Sequence, residues 1–177
     1  MNDENGRHAG AIALRERTGA DLDACARLVA AVRRLDGYPP YLPDNDVVRL
    51  LTEPTPIVAL VATVDDMVVG HVALHPSTGS RTEALACDRL GVEPARLGVI
   101  ARLFASVDRR RAGIGRLLLG AAMIAARSRG LVPVLDVWVE LRPAVALYES
   151  TGWKRLGTVS VALPNGPHDL DVFVGPA

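Results

Sequence analysis

The chain has no surplus charge of either sign: twenty lysines and arginines meet twenty aspartates and glutamates among 177 residues. A neutral chain sets up no global field that would gather DNA, RNA or an anionic membrane, so any anion site must be local. Aromatics are few, at 4%, and do not interleave with basic residues as single-strand binders require. No apolar run approaches the roughly 18 residues of a membrane span. Met1 to Gly10 mixes both charges and lacks a signal peptide's apolar stretch; it is expected to be a flexible tail ahead of one domain over 11–177. Cys25 and Cys87 are the only cysteines and have no metal-ligand spacing, which reads as two reduced thiols in a cytoplasmic protein with no metal site. There is no internal repeat or low-complexity segment. What is present, 49% hydrophobic and 23% charged residues, suits one soluble globular domain with a substantial core.

Periodicity predicts a mixed α/β domain. Ala11–Leu14 is a short strand candidate, and Asp21 is placed to cap a helix running to about Arg34. Asp36-Gly37-Tyr38-Pro39-Pro40-Tyr41-Leu42-Pro43 breaks that helix, and Asp44 is expected to cap a second, short one through Leu51. Ile57–Val64 and Met67–Leu74 flank Asp65-Asp66 as an antiparallel hairpin. Pro76–Gly98 reads as a long polar connection with a helical turn near Glu83–Leu90. Then come a strand at Val99–Val107, the clearest helix at Gly113–Arg129, a strand at Val132–Val139, a short helix at Pro143–Ser150, and a closing hairpin whose turn is Pro164-Asn165-Gly166-Pro167.

The chemistry concentrates at the start of the clearest helix. Asp108-Arg109-Arg110-Arg111-Ala112-Gly113-Ile114-Gly115-Arg116 joins a strand to that helix. Helix starts carry unpaired amides and partial positive charge, so they hold anions, and glycines let a phosphate come close to the backbone. Arginines at a helix start oppose the dipole, which suggests that a bound anion offsets the cost. The turn is neither a P-loop nor a dinucleotide fingerprint after the first strand. Alone, Gly-x-Gly in a basic loop also fits a solvated turn that binds nothing.

The whole segment, however, resembles the signature of the GCN5-related N-acetyltransferase (GNAT) superfamily: a strand, then Arg/Gln-x-x-Gly-x-Gly/Ala, then an apolar helix. Arg110, Gly113 and Gly115 fall on the defining positions. Downstream, Val134-Leu135-Asp136-Val137 looks like the family's fifth strand, and Ala144 to Trp153 is similar to its block ending in Leu-Tyr-Glu-x-x-Gly-aromatic. Upstream, Asp66–Leu74 looks like its third strand. The resemblance implies an α/β fold: a single-domain, mostly antiparallel mixed sheet flanked by helices, with a splayed pair of central strands. It further implies that acetyl-CoA is a co-substrate. Leu103, Phe104 and Ala105 would pair with the pantetheine arm, and the pyrophosphate would rest on the amides of Arg111, Ala112, Gly113, Ile114, Gly115 and Arg116, with Arg110 as a further coenzyme-binding residue.

The implied reaction is direct attack of an amine on the thioester, with a proton returned to the leaving thiolate. Tyr148 occupies the family's usual acid position; packing of its ring is the bland alternative. The glutamate that many members carry before the loop is absent, since Gly98-Val99-Ile100-Ala101 stands there. His71, or His75, is the candidate base by titration range, against a structural role or a water relay. Leu141 replaces an asparagine that often contacts the coenzyme. Tyr38 and Tyr41 are candidate acceptor-binding residues or plain loop packing. The expected enzyme is an N-acyltransferase, transferring acetyl to a small-molecule amine or an exposed protein amine, with no nucleic-acid or membrane partner. A homodimer through edge strands or the terminal hairpin is open. A non-catalytic acyl-CoA-binding module is the rival.

Overall fold

The computed structural model describes residues 11–39, 46–164 and 166–177. Strand β1 (Ala13–Glu16) leads through one 3-10 turn into helix α1 (Leu22–Asp36). Asp21, expected as the cap of α1, points backward instead. Its carboxylate accepts from both Arg15 guanidinium nitrogens at 2.7 Å and from the Thr18 amide and hydroxyl. Helix α2 (Val47–Thr52) is capped by Asp46, which accepts from the Arg49 amide at 2.8 Å; Asp44, assigned that role from sequence, lies outside the described residues.

Strands β2 (Val58–Val64) and β3 (Met67–Pro76) form the expected hairpin, with Asp65 and Asp66 both at positive φ (49° and 61°) in its two-residue turn. The following connection contains a full helix, α3 (Arg81–Leu90), where a single turn was expected. Its buried side is only Thr82, Glu83 and Ala86, too thin a stripe for periodicity to detect. Ser80 and Glu83 form a capping box at its start, and Gly91 closes it in the left-handed region. Strand β4 (Leu97–Ala105), helix α4 (Ile114–Arg127), strand β5 (Val132–Trp138), helix α5 (Arg142–Ser150) and strands β6 (Lys154–Leu163) and β7 (Gly166–Val174) complete the order.

The strands make one seven-stranded sheet in the order β1-β2-β3-β4-β5-β7-β6. Every neighbouring pair is antiparallel except β4 and β5. Helices cover both faces, because successive strand residues point to opposite sides. Ile114, Leu118, Leu119 and Ala122 of α4 pack with Val72, Leu135, Val137 and Phe173. On the other face α1 and α2 cover Val61 and Phe104, and α3 covers Leu97, Val134 and Val172. Helix α4 seats directly on β3 at Gly70, where a Cβ would come within 2.8 Å of both Ile114 and Leu118. That close approach fixes where the basic turn lies over the sheet.

Candidate active site

Strands β4 and β5 pair over only three residues, Leu97–Val132, Gly98–Pro133 and Val99–Val134. Beyond them β4 stays with β3 and β5 stays with β7. From Ile100 and Leu135 onward the two central strands part and present unpaired edges to a groove of about 650 Å³. Such an edge offers backbone hydrogen bonds to an amide-bearing ligand. Leu103, Phe104 and Ala105 all border the groove, with the Phe104 side chain turned into the core beneath α1.

A β-bulge helps part the strands. Between the pairs His71–Phe104 and Ala73–Ala101, β4 carries one residue more than β3, and Arg102 adopts φ 57°. His71 satisfies the carbonyl that the bulge turns aside: its Nδ1–H donates to the Arg102 oxygen at 2.9 Å. Its Nε2 then accepts from Arg17 at 3.1 Å, and the ring stacks on Phe104 with centroids 5.0 Å apart. Burial pushes its pKa down to about 4, and its solvent exposure is nil. His71 is thus a neutral ring with both nitrogens engaged, and it does not border the groove. His75 is also buried, pushed down to about 4 by desolvation, and donates from Nδ1 to the Pro54 oxygen; it stands outside the groove as well.

Tyr148 does reach the groove. Its ring is wedged against Trp153 and Phe173, with centroids 6.2 and 5.9 Å away. Its hydroxyl has no hydrogen-bond partner among the described residues. Burial, then the neighbouring Tyr38 and Asp136, push its pKa up, so the phenol keeps its proton at neutral pH. Tyr38 lines the same groove. Tyr41 lies outside the described residues.

Asp136 was not singled out from the sequence. It faces the groove from the middle of β5, accepting from the Thr82 hydroxyl at 2.7 Å. Solvent reaches its carboxylate along the groove, but protein encloses it on the other sides, and this desolvation raises its pKa. Glu83 steadies the partner by accepting from Ser77, Thr78 and Gly79, each at 2.7 Å, and so pins the start of α3. The available signal was a lone carboxylate in an otherwise apolar strand, Val132-Pro133-Val134-Leu135-Asp136-Val137-Trp138.

The basic turn lies at the far end of β4. Arg111 (φ 66°) and Gly113 (φ 79°) are both left-handed, and the first α4 bond runs from the Leu117 amide to the Gly113 oxygen. The amides of Ile114, Gly115 and Arg116 therefore have no carbonyl within the helix. A Cβ on Gly113 would meet nothing within 4 Å, leaving the approach open, whereas one on Gly115 would press Leu147 of α5 at 3.3 Å. Arg109, Arg111 and Arg116 are exposed or half-exposed around this end, and Arg110 is paired with Asp36 at the end of α1. Phosphate fits these free amides.

Comparison with known proteins agrees with this fold. The acetyltransferase (GNAT) family model covers residues 27–153. No curated protein matches the chain. Among solved structures, a ribosomal-protein-alanine N-acetyltransferase from Brucella melitensis is 23% identical, with 93% of this chain and 99% of that one aligned and a TM-score of 0.68. A GCN5-related N-acetyltransferase from Kribbella flavida is 22% identical over 94% and 98%, TM-score 0.68. Arabidopsis thaliana NAA60 in complex with acetyl-CoA is 18% identical over 93% and 97%, TM-score 0.69. These likenesses carry the fold, and the family model, spanning well over half of the chain, carries the membership: the protein belongs to the GNAT acetyltransferase family.

Proposed function

We propose that the groove between β4 and β5 is where an acceptor amine meets the thioester, with Asp136 and Tyr148 moving the protons. The enzyme class comes with the family: the chain is an N-acetyltransferase that takes acetyl from acetyl-CoA. The observation that carries the site is the parting of β4 from β5 after Val99, which leads from the free amides of α4 to Asp136 and Tyr148.

In this reading the pyrophosphate binds the amides of Ile114 to Arg116, and the pantetheine arm lies along the edge of Leu103 to Ala105. The amine nitrogen attacks the thioester carbon, forming the C–N bond as the C–S bond breaks. Asp136 takes the proton the nitrogen loses, and Tyr148 gives its proton to the departing thiolate. A carboxylate with a raised pKa is a better base than an ordinary one, and it also attracts an ammonium. His71 supports the bulge and takes no part in proton transfer. Tyr38 walls the acceptor side. The compartment we assign, the cytoplasm, rests on the two free thiols.

The test is to follow free thiol from acetyl-CoA across a panel of amines. Release that saturates with one class of amine is expected. Coenzyme binding by calorimetry without release for any amine would instead favour an acyl-CoA-binding module.

A further inference from the structure

The groove contains a cation and a carboxylate that are not paired with each other. Arg102, on the bulge of β4, donates from Nε to the Leu50 oxygen at 3.1 Å, and its guanidinium lies beside the Tyr38 hydroxyl. It makes no ion pair among the described residues. Asp136, on the facing strand, has the Thr82 hydroxyl and likewise no cation bonded to it. The carboxyl nevertheless feels the guanidinium across the gap, since Arg102 opposes the upward push that burial gives Asp136.

Two opposite charges that line one groove, each without a counter-ion among the described residues, form a site complementary to a ligand that carries both signs. The bulge does not need the Arg102 guanidinium, because His71 already holds the displaced carbonyl. The other carboxylates of the groove do not supply the complement. Asp36 is committed to Arg110, and Glu140 is exposed at the loop beyond β5. A plain alkylamine would satisfy Asp136 and leave the guanidinium with its neutral partners, the Leu50 oxygen and the Tyr38 hydroxyl, and no counter-ion. An exposed protein amine would do the same unless a side chain supplied an anion.

We propose that the acceptor is a small zwitterion, an amino acid or related amine bearing a carboxylate, held with its amine at Asp136 and its carboxylate on Arg102. This rests on the reading of the groove as the acetyl-transfer site. Arg102 is then the residue that determines specificity, because guanidinium matches carboxylate with two parallel donors.

The experiment compares amino acids, including β-alanine and 4-aminobutyrate, with their amides and their decarboxylated amines. Two readouts are taken: thiol release at saturating acetyl-CoA, and ligand binding by calorimetry with and without coenzyme A. The carboxylate-bearing member of at least one set should be favoured by about 10–100-fold in kcat/KM or affinity, the usual scale for a charge-assisted pair. Arg102→Asn, which tolerates a left-handed φ, should erase that preference chiefly through KM, and Arg102→Lys should retain part of it. Equal or better handling of the amides and amines, a preference unchanged in Arg102→Asn, or no binding by any amino acid would overturn the proposal. Failure of the underlying transferase reading shows separately, as absence of coenzyme A binding and of thiol release, while amino-acid binding to the protein alone still decides the role of Arg102.

Discussion

Tyr148 keeps its proton because burial and a nearby carboxylate both disfavour phenolate, and a group that keeps its proton can donate it to a thiolate. Tyr148→Phe preserves the ring's contacts with Trp153 and Phe173 and removes only a hydroxyl that has no hydrogen-bond partner among the described residues. Turnover should fall by roughly 10²-fold with coenzyme affinity unchanged; single-turnover thiol release and calorimetry separate the two. Asp136 gives the opposite signature. Its folded pKa is raised, so the native state binds that proton more tightly than the unfolded chain does, and stability falls as pH rises through the interval between the two values. At pH 7 the ionised carboxylate therefore lowers stability. Asp136→Asn keeps an oxygen for Thr82 and sheds the charge. It should raise the melting temperature at pH 7, lose that advantage at acid pH, and cut turnover by about 10²–10³-fold with loss of the acidic limb of the rate profile. A melting temperature unchanged or lowered at pH 7 would place the carboxylate in an environment that welcomes its charge.

At the scale of elements, β3 carries two neutral histidines in the interior. Burial pushes both His71 and His75 down to about 4. In the unfolded chain an ordinary histidine takes its proton near pH 6.5. Between about 6.5 and 4 the unfolded chain binds protons that the folded one refuses, so stability declines as pH falls through that window, by roughly 3 kcal/mol per histidine. Urea midpoints from pH 7 to 4 measure the slope. His75→Asn can still donate to the Pro54 oxygen and should remove about half of it. Asp21, held far below the usual carboxylate range by its Arg15 bond, contributes in a separate and lower window. The turn into α4 has its own test. Gly113 sits at φ 79° with nothing within 4 Å of an added Cβ, so the Cβ of Gly113→Val meets no protein atom. It instead forces a β-branched residue into the left-handed region, costing about 1–2 kcal/mol, and sets a side chain where phosphate must approach. Coenzyme A affinity should drop by at least about 10²-fold, a loss that a folded variant reveals in calorimetry.

Across the whole molecule, the parts legible in sequence are those written in neighbouring residues. Gly113, Gly115 and the apolar stripe after them announce α4, and Asp65-Asp66 between two apolar runs announces the first hairpin. Helix α3 is only partly legible because its buried face is two polar residues and an alanine, although Ser80 and Glu83 mark its start. The division of the central strands is not local. It arises from a parallel register that stops at Val99–Val134, from an extra residue in β4, and from a helix resting on Gly70. Nothing in the alternation of β3 tells whether His71 faces the groove or the core; the β3–β4 register does. Asp136 is missed for the same reason, since one polar residue in an apolar strand acquires meaning only when the neighbouring strand has moved away. That division also joins β1–β4 to β5, β7 and β6 by only three backbone pairs, with helices bridging the rest.

Backbone amides that turn toward the gap beyond Val99 have no carbonyl opposite them on β5. They should trade their hydrogens for solvent deuterium as quickly as a free sheet edge does, while the side of β4 facing β3 holds its hydrogens. Coenzyme A lying in the gap would act as the missing strand and slow that exchange along Leu103 to Ala105. Mass-spectrometric deuterium uptake, with and without coenzyme, would read the donor site on the backbone itself, before any acceptor has been found.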